Sequence, residues 1–151
     1  MLIDYTPQRG IGSSLNWAMA EGSDEEQTDG RVASQTIELL QNHQDDPFFI
    51  ACGFFRPHCP FVAPKQYFDL YPLEEIQLAP QAEAKQDAVP KAAYWTKPAN
   101  WGIPDDSLRK VIRAYYATTS FVDAQVGRLL STMDELNLWE NTVVVLSLIH
   151  I

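Results

Sequence analysis

Cysteine is scarce. Cys52 and Cys59 are the only two, too few for a disulfide framework, and they leave the redox compartment open. Positive charge is short as well: 11 Lys and Arg face 20 Asp and Glu, for a net charge of −9 at pH 7. That balance argues against nucleic-acid binding and against adhesion to an anionic membrane. No apolar run approaches the roughly 20 residues of a membrane span, so no crossing of the bilayer is expected. Met1-Leu2-Ile3-Asp4-Tyr5 lacks a basic stretch followed by an apolar one, so no signal peptide is visible. Internal repeats and low-complexity tracts are absent too.

What is present suffices for a core. The chain has 151 residues, of which 46% are hydrophobic and 11% aromatic, which is the size and composition of one acidic globular domain or part of one. Residues 1–23 read as an irregular N-terminal segment, because Gly10, Gly12 and Gly22 sit among Ser13, Ser14 and Ser23. Asp24-Glu25-Glu26 opens a helix as a solvated acidic start suited to the positive end of the helix dipole. Val32, Ala33, Ile37 and Leu40 mark its apolar face down to about His43. Gly30 weakens its first half.

Asp45-Asp46-Pro47 breaks that helix, and the continuous apolar run Phe48–Phe55 follows. Such a run between turn signals predicts a strand buried on both faces, as in a parallel sheet. Arg56-Pro57-His58-Cys59-Pro60 ends it, the two prolines forbidding further regular pairing. Lys65 to Tyr71 reads as a helical turn, and residues 72–104, with five prolines, as a long loop or excursion. A long helix is predicted from Pro104-Asp105-Asp106-Ser107 to about Leu136, with Asn137 as its stop. Its apolar stripe runs through Leu108, Val111, Ile112, Tyr115, Thr119, Val122, Val126, Leu129, Leu130, Met133 and Leu136. Asp123 lies among them and is read as a buried acid bonding Tyr115 or Arg128. Val143-Val144-Val145-Leu146 predicts a second buried strand. The fold class is α/β, with the two apolar strands paired in parallel through a helical crossover. Two strands make only a partial sheet.

Ligands of open α/β sheets sit beyond the carboxyl ends of strands, where Arg56-Pro57-His58 falls. An arginine fork and an imidazole there can serve an anionic oxygen, and the imidazole can protonate a leaving group. The residues alone leave a second role open, in which His58 caps the strand and bonds a backbone carbonyl. Trp95 and Trp101, with Tyr94 beside them in the proline-rich excursion, can stack on a sugar ring or pack the loop. Cys52 and Cys59 read as small apolar residues, and His43 as a cation at a helix C-terminus.

The segment Pro47 to Lys65, PFFIACGFFRPHCPFVAPK, resembles the central part of type I sulfatases, in the branch of iduronate-2-sulfatase and its bacterial relatives. Tyr67 to Glu74, Ile76 to Pro80, Ile103-Pro104, Arg109-Lys110, Tyr115 to Ala117, Ser120 to Leu130 and Asn141 to Val145 are similar to the same family, as is Asp24 to Gly30 upstream. The resemblance covers residues 24–146 and implies the central part of an alkaline-phosphatase-like catalytic domain, a partial parallel sheet flanked by helices. It implies a sulfuric ester hydrolase, acting on a sulfated small molecule or carbohydrate through formylglycine and Ca2+. By this resemblance His58 matches the histidine that contacts the sulfate, with Arg56 as a supporting residue. The whole protein would be periplasmic or secreted.

Several family features are missing from the residues present. No Cys-x-Pro-Ser-x-Arg occurs; Cys52-Gly53-Phe54-Phe55-Arg56 carries Phe54 where Pro or Ala is required. No paired aspartates follow a strand, and no Ser-Asp-His-Gly follows Leu146. The expectation is a fragment with no metal ligands of its own, inactive alone. LSLIHI at the end is similar to the translation of a transposase sequencing adapter, so residues 147–151 are expected to be an artefact and His150 receives no chemistry. Two alternatives stand beside the sulfatase: a phosphodiesterase or phosphonate monoester hydrolase of the same superfamily, and a degenerate, non-catalytic binding domain.

Overall fold

The computed structural model describes residues 15–79, 90 and 103–148. Strand β1 (Trp17–Ala20) leads through a 3₁₀ turn (Asp24–Glu26) into helix α1 (Thr28–His43). Strand β2 (Phe61–Pro64), the short helix α2 (Lys65–Asp69) and a 3₁₀ turn (Leu73–Glu75) follow. The long helix α3 (Asp105–Glu135) and a last 3₁₀ turn (Leu138–Glu140) complete the described order.

The class is α/β, as expected, but the sheet uses other residues. β1 and β2 pair in parallel, in the register Trp17↔Phe61 to Ala20↔Pro64. β1 lies inside the segment expected to be irregular: Trp17 to Ala20 are apolar and free of glycine, and they find a partner in β2. Pairing also resumes directly after Pro60. Proline removes only its own N–H from a ladder, and Phe61 donates its own to the carbonyl of Asn16 at 2.8 Å.

The two predicted strands form no ladder among the described residues. Along the run from Phe48 to Phe55, half-buried and exposed residues alternate, as in a pleated strand with one covered face. Phe48 and Ile50 pack on the cluster of Leu40, Met133 and Leu138, while Phe49 is 93% exposed. Val143 and Val145 are likewise 87% and 83% exposed. A strand's hydrogen bonds come from a neighbour, and no described strand pairs with either run.

Helices follow the sequence more closely. α1 buries Gly30, Ala33, Thr36 and Leu40 along one face. α3 spans the predicted range and ends at Asn137, whose φ of 55° is the left-handed stop that asparagine tolerates. Its most buried face differs from the predicted stripe: Val111, Ala114, Ala117, Thr118, Phe121 and Gln125 go inward, whereas Tyr115 and Thr119 are exposed. Small residues let α3 approach β2 and α2 closely, so the main core forms from Ala63, Tyr67, Phe68, Ala114, Ala117 and Phe121. Phe68 is fully buried and Phe121 is 2% exposed, each contributing about 2–3 kcal/mol of apolar burial. Asp123 is exposed and is not the buried acid expected: it falls on the outer side of the helix, and Arg128 bonds Gln125 instead.

Candidate functional site

The Arg-Pro-His segment is held from below by a carboxylate of α1. Asp29 stands in the first turn of that helix and is 2% exposed. One of its oxygens accepts the backbone N–H of Phe55 at 2.8 Å, and the other accepts that of Arg56 at 3.0 Å. Helix N-termini favour negative charge, so the acid is stabilised on both sides.

Above this clamp the chain reverses. The His58 N–H donates to the carbonyl of Phe55 at 3.0 Å, and the Arg56–Pro57 and Cys59–Pro60 peptide bonds are cis. The Arg56 Nε–H donates to the carbonyl of Val62 at 2.8 Å, tying the turn to β2. Its guanidinium lies 5.9 Å from the centre of the Phe55 ring.

His58 is exposed at the apex. Its ring stands edge-on to Phe55, with centroids 6.0 Å apart. Its Nδ1 lies 2.6 Å from the carbonyl oxygen of Cys59. A carbonyl only accepts, so Nδ1 carries the proton and Nε2 is left for another partner. Of the two roles left open by the sequence, the bond to a backbone carbonyl is the one present, and Nε2 has no hydrogen bond among the described residues. Arg56 and His58 are thus brought together on one turn. Trp95 and Trp101 lie outside the described residues.

Two carboxylates that gather hydrogen bonds from distant residues escaped the sequence reading. Asp29 was hidden in an acidic helix start, and the only available signal was the Asp-Gly step opening an apolar-periodic helix. Asp24 is no solvated charge either. Its carboxylate accepts hydrogen bonds from Gln66 Nε2 at 2.9 Å, Gln125 Nε2 at 2.7 Å and the Tyr67 hydroxyl. Arg128 extends this network to Gln125 Oε1, Ser34 Oγ and the Gly30 carbonyl. Desolvation first, and then Asp24, push the Tyr67 phenol upward from its ordinary value. Glu25, on the surface, is held below the usual carboxylate range by its own backbone N–H, Ser23 and Arg128.

The family model for sulfatases matches residues 3–147. The chain belongs to the sulfatase family. Human iduronate 2-sulfatase is 38% identical over 139 residues, covering 81% of this chain and 25% of that protein. A sulfatase of Formosa agariphila is 32% identical over 140 residues, covering 89% and 28%. A choline-sulfatase of Rhizobium meliloti is 26% identical over 149 residues, covering 89% and 28%. The chain thus spans about a quarter of the length of these relatives, 25% to 28%.

The calcium implied by the family finds no ligand set among the described residues: no three His, Cys, Asp or Glu side chains converge there. The free cysteines Cys52 and Cys59 are half-buried, and neither stands in the motif that formylglycine formation needs. No described helix is long and apolar enough to cross a membrane.

Proposed function

We propose that this chain is the part of a sulfuric ester hydrolase that presents His58 to the sulfate group. The observation that carries this reading is the exposed imidazole on a clamped turn, with Nδ1 on the Cys59 carbonyl at 2.6 Å and Nε2 left to a ligand. In the whole enzyme formylglycine and calcium would supply nucleophile and Lewis acid. This chain's own contribution is orientation and charge.

The ring is oriented by its Nδ1–H bond, which stays in place whether or not Nε2 is protonated. With both nitrogens protonated, Nε2–H donates to an anionic sulfate oxygen or passes its proton to the leaving alkoxide. Arg56 has spent its Nε–H on Val62, and its remaining guanidinium N–H groups add positive charge on the same turn. Trp95 and Trp101 are proposed to stack on a sugar ring of the substrate. A sulfated carbohydrate is favoured by the human relative, which is named for iduronate, a sugar acid. The whole protein would act in the periplasm or outside the cell.

The test is His58→Ala in the intact enzyme that carries this segment, assayed on an aryl sulfate. Turnover should fall on the order of 100-fold, as for loss of an oxyanion donor, with thermal stability nearly unchanged because the ring is exposed. Turnover surviving within about threefold would overturn the assignment of His58. An aryl phosphodiester cleaved faster than the sulfate would overturn the sulfate ester as substrate.

A further inference from the structure

We infer that Asp29 is a positioning residue for His58: its buried carboxylate sets the turn on which the imidazole stands. The inference rests on the role proposed for His58 and adds a residue that acts through it.

Asp29 reaches across 26 and 27 positions of sequence to two consecutive amides, those of Phe55 and Arg56. These amides close a run that has no ladder among the described residues, so the carboxylate replaces the neighbouring strand as their acceptor. The link to the imidazole is short. The same Phe55 whose N–H is held by Asp29 accepts the His58 N–H through its carbonyl at 3.0 Å. Arg56, held by the other oxygen, is fixed further by its bond to Val62 at 2.8 Å. The backbone N–H groups of Phe55, Arg56 and His58 are therefore bonded along a path that starts at Asp29, and the Arg56 side chain ties the turn to β2.

The chemistry explains why an acid stands here. The two N–H groups meet two separate oxygens, which a carboxylate supplies and a carboxamide, with a single oxygen, does not. Asp29→Asn turns one acceptor into a donor that faces a backbone N–H. Asp29→Glu keeps both acceptors but moves them by one methylene in a site that is 2% exposed. Catalytic geometry is sensitive to displacements of that order.

The experiment is a double-mutant cycle in the intact enzyme, with aryl sulfate turnover as one readout and the His58 ring-nitrogen signals by 15N NMR as the other. Asp29→Asn should lower kcat about 10- to 100-fold with a smaller change in KM. It should also shift the His58 signals away from the Nδ1–H form. In a His58→Ala background the same substitution should cost less than about twofold, because a residue acting through His58 has nothing left to act on. Asp24→Asn serves as the control. It breaks a partly buried carboxylate that accepts from Gln66, Tyr67 and Gln125 and bonds no residue of the His58 turn, so at matched thermal stability its effect on kcat should be the same in both backgrounds.

Two results would overturn the inference: an equal Asp29→Asn effect with and without His58, or unchanged ring-nitrogen signals in Asp29→Asn. Full turnover in His58→Ala would instead sink the role of His58 in catalysis. The NMR readout would then still decide whether Asp29 positions the ring.

Discussion

The carboxylate of Asp24 and the amide of Gln125 meet at 2.7 Å across 101 positions of sequence. Gln125 is fully buried in α3, and Asp24 belongs to the turn that precedes α1. Their bond, with those from Gln66 and Tyr67, fastens both helices and α2 to one acid.

Removing that acid should be costly. Asp24→Ala takes away the Tyr67 hydroxyl's acceptor and one of the two acceptors of Gln125 Nε2, which keeps only the Phe121 carbonyl, at a cost of about 3 kcal/mol. A drop of roughly 6–12 °C in Tm is expected for a chain of this size. Denaturant unfolding of Asp24→Ala, Gln125→Ala and the double variant checks this. The two effects should fall short of additive by about 1 kcal/mol or more, and strict additivity would show that the bond carries no stability.

Gly30 offers a sharper test, because the usual rule reverses. Glycine-to-alanine changes inside a helix commonly stabilise by about 1 kcal/mol. Here a Cβ on Gly30 would come within 1.7 Å of the Asp24 carbonyl oxygen, a backbone atom that cannot swing aside. Gly30→Ala should therefore destabilise by about 2 kcal/mol or more. A variant as stable as the parent in thermal unfolding would contradict this close approach.

Tyr67 should make the fold sensitive to alkali. Burial, and next Asp24, raise its phenol above the ordinary value of 10.0. The unfolded chain therefore ionises first. Stability carried by the neutral phenol is complete below the unfolded value and is lost as pH rises through the folded one. For one proton the loss is at most about 1.4 kcal/mol per pH unit. Denaturant unfolding between about pH 8 and about pH 11 should show this slope in the parent and a shallower one in Tyr67→Phe. Equal slopes would mean that the phenol ionises as freely in the fold as outside it.

Both long helices and the turn that carries the candidate site are legible in the residues. A helix closes its hydrogen bonds four residues away, so α1 and α3 announce themselves through local periodicity and their end signals. Arg56-Pro57-His58 is equally local, since proline shapes the chain on the spot. The strands behave otherwise. The runs Phe48–Phe55 and Val143–Leu146 have every local mark of buried strands, yet neither finds a neighbour among the described residues. The less conspicuous Trp17–Ala20 and Phe61–Pro64 do pair. The inward face of α3 also departed from its hydrophobic stripe. Which side goes in was decided by how closely small residues allow β2 and α2 to approach.

The acids divide in the same way. Local rules place Asp24 in a solvated helix start and Asp123 among buried residues and mark nothing at Asp29, whereas in the fold Asp123 is the exposed one of the three. What separates them is whether donors far along the chain converge on the carboxylate, as those of Phe55 and Arg56 do on Asp29. A carboxylate is buried at tolerable cost only when such donors are in place. Residue types and spacing thus establish the helices and mark the turn that carries the imidazole. Only the packed chain assigns the acid beneath that imidazole, because its partners lie 26 and 27 positions away.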